Sequence, residues 1–154
     1  MTHRLGEDLS ELFVREITRL AAEVSAYPDE EQLWMCIGGQ KNSPGTLALH
    51  LVGNLDAYIG NVLGSTGYIR DRDAEFTERV SRDELLRRIA LCRSMLGEVL
   101  PQISDAAMQE EFPGTPPTRM TGIRTHPFLM HLLWHLGWHL GHIYYHRLSL
   151  EGTT

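Results

Sequence analysis

Cysteine is scarce in this sequence. Its 154 residues include only two cysteines, Cys36 and Cys92, which lie far apart and form no CxxC pair. A disulfide framework and a thiolate zinc site are therefore excluded as organising features. The first residues also lack the uninterrupted apolar run of an export signal, because acidic residues interrupt them. We therefore predict a reduced, cytoplasmic setting.

Basic clusters and nucleotide-binding motifs are missing as well. The formal net charge is −6 at pH 7, and the basic residues are scattered singly or in pairs. No positive stripe is thus offered to a phosphate backbone. No GxGxxG or GxxxxGK[ST] motif occurs, and no segment alternates as a strand would. A nucleic-acid partner and the α/β nucleotide-binding folds are not expected.

No long run of purely apolar residues occurs either. The nearest candidate, residues 128–148, contains five histidines and Arg147, which a bilayer core would penalise strongly. We interpret it as a buried helix and expect no membrane partner. A length of 154 residues, with 42% hydrophobic and 22% charged residues, predicts one folded domain spanning residues 1–154.

Apolar residues recur every three or four positions in four long segments, which predicts four amphipathic helices. These segments cover residues 7–26, 44–63, 82–100 and 125–150. Ser43-Pro44 precedes the second helix, and Ser81 with Glu84 forms a capping box before the third. Shorter helical turns are predicted at residues 29–35 and 106–111.

Residues 64–80 have no clean period and contain two glycines, so they predict a long connection rather than a tight turn. A connection of this length can cross a bundle. The fold class predicted is therefore all-α, a four-helix bundle with a long crossover between helices 2 and 3. We interpret the charged run RDRDAE in the crossover as a solvated face. The alternative is that residues 70–73 fold over a pocket mouth or a dimer contact.

Histidine is concentrated in the last predicted helix. Of the eight histidines, five lie there: His131, His135, His139, His142 and His146. At about 100° per residue they share a stripe roughly 80° wide, here called the histidine stripe. Neutral imidazole binds zinc, nickel and iron, so pairs four apart (131/135, 135/139 or 142/146) can hold one ion. His50, on the inward face of the second helix, is the natural third ligand.

The histidine stripe has a second interpretation, which is a polar network between helices. A carboxylate-bridged di-iron site is excluded because the last helix has no glutamate before Glu151. Gly137 and Gly141 predict close packing of a neighbouring helix or room for a ligand. His3 and His126, at or beyond helix starts, are expected to face solvent.

The histidine pattern resembles that of the DinB-like (DinB/YfiT-like) four-helix bundles. That family carries one histidine on its second helix and an HxxxH pair, followed by a glycine-polar-isoleucine run, on its last. Here His50 lies in TLALHLVGNLDAYI, and His135 and His139 lie in HLGWHLGHI. The crossover segment GSTGYIRDRDAEF is similar to a subgroup of unknown function.

The resemblance implies a divalent ion, commonly zinc or nickel, held by His50, His135 and His139 with an open position for water or thiol. It also implies an enzyme that acts on a small molecule. The reaction is either a hydrolysis or a transfer or isomerisation, and the last two depend on a low-molecular-weight thiol. The sequence departs from the pattern at Leu140, where relatives often carry a basic residue, and at His142, where glutamine is frequent. The substrate is therefore not carried over.

An ion on three neutral ligands lowers the pKa of a bound water toward about 7. His142 and His131, one turn on either side of the pair, are the expected proton carriers. Asn54 and Tyr58 are expected to orient a ligand or to pack. The alternative function is a non-catalytic metal-binding or structural bundle that acts as a homodimer.

Overall fold

The computed structural model describes residues 4–152, so His3 lies outside the described residues. Six α-helices form in this part of the chain: α1 (Leu5–Ala26), α2 (Pro44–Leu55), α3 (Arg72–Thr77), α4 (Arg82–Val99), α5 (Asp105–Gln109) and α6 (Thr125–Glu151). Short 3-10 turns cover Glu30–Trp34, Leu100–Gln102 and Thr118–Met120. Within residues 4–152 the only β pairing is an isolated bridge between Glu111 and Arg124. The all-α prediction is confirmed.

The four long helices make the bundle. α1 packs against α4 and α6, and α2 packs against the same two helices from the opposite side. α1 and α4 are antiparallel, because Gly6 meets Leu100 and Ser10 lies beside Leu96. One continuous core fills the space between them. Its largest fully buried side chains include Tyr27, Phe13, Phe128, Ile17, Leu51 and Leu85.

The predicted crossover between the second and third long helices is confirmed. Gly60 and Gly64, at the end of the second long helix, pack against Met95 and Val99 at the end of α4. The two helices are therefore parallel, so the chain must return along the bundle between them. The crossover contains α3, which the sequence did not predict, since six residues are too few to show a helical period.

α2 continues without a break into a π-helical segment, Asp56–Leu63. Wider turns of this kind are rare and often lie at functional sites. The predicted start signal is confirmed, since Ser43 accepts a hydrogen bond from the backbone N–H of Thr46 at 3.2 Å. α2 itself is buried on nearly every side, which makes it a rigid support for whatever it carries.

The capping box at α4 forms only in part. Ser81 accepts a hydrogen bond from the N–H of Glu84 at 3.2 Å. The Glu84 side chain turns away and binds Arg87 and Arg88 instead. Leu91, an apolar residue of this helix, is 58% exposed.

Two further expectations concern single residues. Among the described residues, no atom of another element lies within 4 Å of where a side chain would begin at Gly137 or Gly141, so the prediction of a closely packed neighbouring helix is wrong. His126 is half-buried rather than solvent-facing. Cys92 is buried and Cys36 is exposed. No described helix combines the length and the apolar character needed to span a bilayer.

Candidate metal centre

Three of the predicted histidines converge where α2 passes α6. His50, His135 and His139 each offer one ring nitrogen, and these three atoms lie within 4.8 Å of one another. The Nε2 atoms of His50 and His135 are 3.3 Å apart. The predicted convergence of one histidine from the second helix with a pair from the last helix is confirmed.

A buried carboxylate orients His50. Its Nδ1 lies 2.9 Å from Oε2 of Glu75, which is 5% exposed and comes from α3. Because a carboxylate only accepts hydrogen bonds, Nδ1 carries the proton and Nε2 presents its lone pair to the centre. Glu75 therefore fixes the tautomer that ligation requires.

Glu75 is in turn held by Arg70. The guanidinium makes two parallel hydrogen bonds to the carboxylate, Nε to Oε1 at 2.6 Å and Nη2 to Oε2 at 2.9 Å. Burial alone would raise the pKa of Glu75, but the hydrogen bonds from His50 and Arg70 outweigh it and the pKa is lowered. The carboxylate is thus charged at neutral pH and accepts a hydrogen bond from Nδ1 of His50.

Gly53 makes room for this carboxylate. It lies one turn after His50 on α2, and a methyl group at this position would overlap Oε1 of Glu75. Any larger residue would push the Glu75 side chain away from His50. The absence of a side chain at Gly53 is therefore a condition for the His50–Glu75 contact.

His135 and His139 are electrically neutral. Burial, and then the neighbouring histidines of the cluster, lower the pKa of His135 to about 3 and that of His139 to about 4. Each ring also has a buried Nδ1 with no hydrogen-bond partner. Uncharged imidazoles keep their lone pairs at physiological pH, which is the state that ligates metals.

The donor set fits a divalent ion of the zinc or nickel type. A tetrahedral ion with bonds of about 2.0–2.1 Å holds its ligand atoms about 3.3 Å apart. The Nε2 atoms of His50 and His135 have this separation, and all three ring nitrogens lie within 4.8 Å of one another. Three neutral imidazoles suit zinc, nickel and iron better than magnesium or calcium, which prefer oxygen. His50, His135 and His139 are the residues that would hold it.

The other histidines of the stripe lie in different surroundings. His131 is half-buried, its ring centroid is 6.5 Å from that of His135, and burial followed by the charge of Arg119 lowers its pKa. His142 is exposed with its ring 5.7 Å from that of His139. His146 is buried, with Nε2 2.8 Å from the carbonyl of Met35 and Nδ1 2.9 Å from the hydroxyl of Tyr27. His146 is therefore a structural residue.

A cavity of about 540 Å³ opens beside the cluster. His50, His131 and His135 line it, together with Asn54 from α2 and Tyr58 from the π-helical segment. Asn54 is 8% exposed, and its Oδ1 has no hydrogen-bond partner. The two residues expected to orient a ligand thus border the histidine cluster.

Sequence reasoning missed Glu75 and Arg70 as parts of the centre. Both lie in or beside the run RDRDAE, which was interpreted as a solvated face, and the structure corrects that interpretation for these two residues. The alternative interpretation, in which residues 70–73 lie over a pocket, agrees better with the structure, because Arg70 and Arg72 line the cavity. The sequence does contain one signal of a buried partner. Gly53 is a glycine inside a helix, one turn from the candidate ligand His50, and it leaves space for another side chain.

A helical bundle with three clustered histidines between its second and last long helices is the class of protein that the fold and site define. The profile of the DinB superfamily matches residues 12–143. The chain therefore belongs to the DinB superfamily, and the matched segment contains all three clustered histidines. No curated protein matches the chain.

Proposed function

We propose that this protein is a metal-dependent enzyme, a hydrolase or a thiol-dependent transferase, with zinc or nickel on His50, His135 and His139. The observation that carries the proposal is the convergence of three imidazoles within 4.8 Å, of which those of His135 and His139 are uncharged. Such an ion supplies a Lewis acid that lowers the pKa of a water or thiol nucleophile. Superfamily membership over residues 12–143 is consistent with it.

The chain's own residues have distinct tasks in this proposal. Glu75 keeps the proton of His50 on Nδ1, and Arg70 keeps Glu75 ionised and in place. His131, which lines the same cavity as His50 and His135, carries protons to and from the substrate. His142 is the second proton carrier, and with His139 it borders a smaller cavity of about 250 Å³.

A low-molecular-weight thiol is the proposed co-substrate of the transferase version. A thiol of this kind is available in a reducing compartment, so the proposal includes a cytoplasmic location. Cys36 and Cys92 are both free thiols, which agrees with that setting.

The decisive experiment is elemental analysis of untagged protein, repeated on His139→Ala. We expect about one zinc or nickel per chain in the wild type and loss of the metal in the variant. His126→Ala is the matched control, since it removes a half-buried histidine outside the cluster. Equal metal content in His139→Ala and the wild type would contradict the proposal.

Turnover separates an enzyme from a binding protein. The loaded protein is screened with ester and amide substrates, and with electrophiles in the presence of a thiol. Activity that disappears in His139→Ala and persists in His126→Ala supports catalysis. A metal-loaded protein inactive toward every substrate class would favour the second candidate.

That second candidate is a non-catalytic bundle that pairs with a second copy of itself. A stripe of exposed apolar side chains on one face of α6 favours it: Met130, Trp134, Trp138 and Tyr145, between 47% and 68% exposed. Contiguous apolar surface of this kind commonly marks an interface. A two-fold axis across α6 would bury the stripe of both copies against each other.

Sedimentation velocity tests the pairing. We expect a wild-type dimer and a monomer for the double variant Trp134→Glu with Trp138→Glu. Leu91→Glu is the control, because Leu91 is an equally exposed apolar residue on α4. A wild-type monomer, or a dimer that survives the double variant, would contradict this candidate.

A further inference from the structure

The cavity beside the histidine cluster has an unusual charge. Three arginines line it, Arg70, Arg72 and Arg119, and no aspartate or glutamate is among its lining residues. The chain as a whole carries a net charge of −6. Positive charge is therefore gathered on this one concave surface of an acidic protein, and concave walls concentrate the field.

Two of these arginines form no ion pair within the described part of the protein. Arg70 is already paired with Glu75, whereas Arg72 and Arg119 are exposed and form no ion pair with a carboxylate of the described residues. The guanidinium of Arg72 stands 5.6 Å from the ring of Phe76, which itself lies 5.1 Å from the His50 ring. This stacking steadies Arg72 near the cluster while leaving its N–H edges free.

Arg119 reaches the cavity from a different segment of the chain. It lies on the 3-10 turn Thr118–Met120, in the connection that leads to α6. Its charge also acts on His131, since after burial it is the further cause that lowers the pKa of this histidine. Arg72 and Arg119 thus border the cavity from two separate chain segments.

Asn54 supplies an independent sign of a ligand. Its side chain is more than nine-tenths buried and lines the cavity, yet Oδ1 has no hydrogen-bond partner. A buried polar atom without a partner is costly, and such groups are usually satisfied by protein or by something bound. Because an amide oxygen only accepts hydrogen bonds, this atom would take a donor group of a molecule in the cavity.

We propose that Arg72 and Arg119 form an anion subsite and that Asn54 accepts a hydrogen bond from the same molecule, so that the substrate of the histidine centre is a small molecule bearing a carboxylate or phosphate group. This inference rests on the proposed function for the identity of the reacting centre. Guanidinium groups pair with both oxyanions through two parallel hydrogen bonds. The anion binds between the two arginines and leaves the remainder of the molecule beside His50, His131 and His135.

The test measures binding rather than activity. Succinate and inorganic phosphate are titrated by calorimetry into zinc-free and zinc-loaded wild type, into the double variant Arg72→Gln with Arg119→Gln, and into Arg93→Gln. Arg93 is the matched control, being an exposed arginine on α4 away from the cavity. Circular dichroism and zinc content are recorded for each protein.

We expect the zinc-free wild type and Arg93→Gln to bind at least one probe, and the double variant to bind it at least tenfold more weakly with unchanged zinc content. Binding of succinate alone assigns the subsite to carboxylates, and binding of phosphate alone assigns it to phosphate esters. No binding by the wild type, or equal binding by the double variant, overturns the inference. Zinc content is measured separately from anion binding. A wild type that binds no zinc would therefore contradict the metal proposal alone, and a wild type that binds no anion would contradict the anion subsite alone.

Discussion

Near its C-terminal end α6 buries His146 against Tyr27 and Met35, whereas two and three turns earlier it presents His139 and His135 to His50. Both ring nitrogens of His146 have partners within the protein. In contrast, Nδ1 of His135 and of His139 has none. Buried histidine alone therefore does not identify a site, and unused hydrogen-bonding capacity separates the functional segment from the structural one.

The largest effect is expected on stability at the structural end. His146→Leu removes the hydrogen bond to the Met35 carbonyl and the contact with the Tyr27 hydroxyl, so the free energy of unfolding should fall by about 1–3 kcal/mol. The metal content should not change. Urea denaturation with elemental analysis measures both quantities.

The matched variant at the other segment is His135→Leu. It removes a ring with an unpartnered Nδ1, so in zinc-free protein the free energy of unfolding should change by no more than about 1 kcal/mol, while the metal is lost. If His135→Leu unfolded the zinc-free protein as strongly as His146→Leu, the distinction between the two segments would be wrong.

Glu75→Gln tests the orientation of His50. Partners of metal-ligating histidines typically contribute 10–100-fold in affinity, so zinc should bind about 10–100-fold more weakly. Glu78→Gln is the control, because Glu78 pairs with Arg88 outside the cluster. Competition with a chelating dye measures the affinity, and equal effects of the two variants would argue against the assigned role of Glu75.

Gly53→Ala reaches the same contact from the other side. The added methyl group displaces the Glu75 carboxylate, so zinc affinity should fall by about tenfold, within the range for loss of such a partner. Gly97→Ala is the control on α4, where the nearest atom is 3.9 Å from the new methyl group. An unchanged affinity in Gly53→Ala would show that Glu75 can orient His50 from a shifted position.

The pH dependence of zinc-free protein has a defined sign. Burial holds the pKa of His135 at about 3 and that of His139 at about 4 in the folded state, whereas an unfolded histidine has a pKa of about 6.5. Below pH 6.5 the unfolded chain therefore binds more protons, and the free energy of unfolding falls as the pH drops toward 4. Urea denaturation between pH 7.5 and 4.5 should show this decline.

The slope of that decline can be assigned by substitution. Replacing both His135 and His139 by leucine should flatten it, and His126→Ala should leave it unchanged. A double variant with the wild-type slope would contradict the neutral state of the two rings in the folded protein.

The smallest effect is expected at Gly137. Its neighbourhood is open on the outer face of α6, so Gly137→Ala should stabilise dilute protein by about 0.5–1 kcal/mol through helix propensity. A loss of stability would show that the position needs glycine for close approach, as the sequence first suggested. Thermal unfolding of the variant beside the wild type measures the change.

Much of this architecture is predictable from periodicity. Four long amphipathic segments and one aperiodic stretch predict the bundle and its crossover, since each long helix buries a continuous apolar stripe. The helix α3 is too short to show such a stripe. The π-helical turn is also invisible, because an apolar pattern does not distinguish a local change of helical pitch.

The site is predictable only in its ligands. Angular spacing places five histidines on one stripe, but each residue also rises about 1.5 Å along the axis, so His146 lies about 10 Å beyond His139. Angular position alone therefore predicts a larger histidine cluster than the helix can form, because it ignores the distance between residues along the axis. Glu75 is missed for another reason: a carboxylate in a run of alternating charges resembles a solvated surface until the backbone buries it.

The π-helical segment divides the second long helix into two functional parts. His50 and Asn54 precede it, and Tyr58 lies within it. Deleting one residue there would restore the regular pitch and change which side chains of this segment face the cavity, while His50 and Asn54, which precede it, stay where they are. The shape of the cavity can therefore differ among relatives without a change in the part of the helix that carries the metal ligand His50.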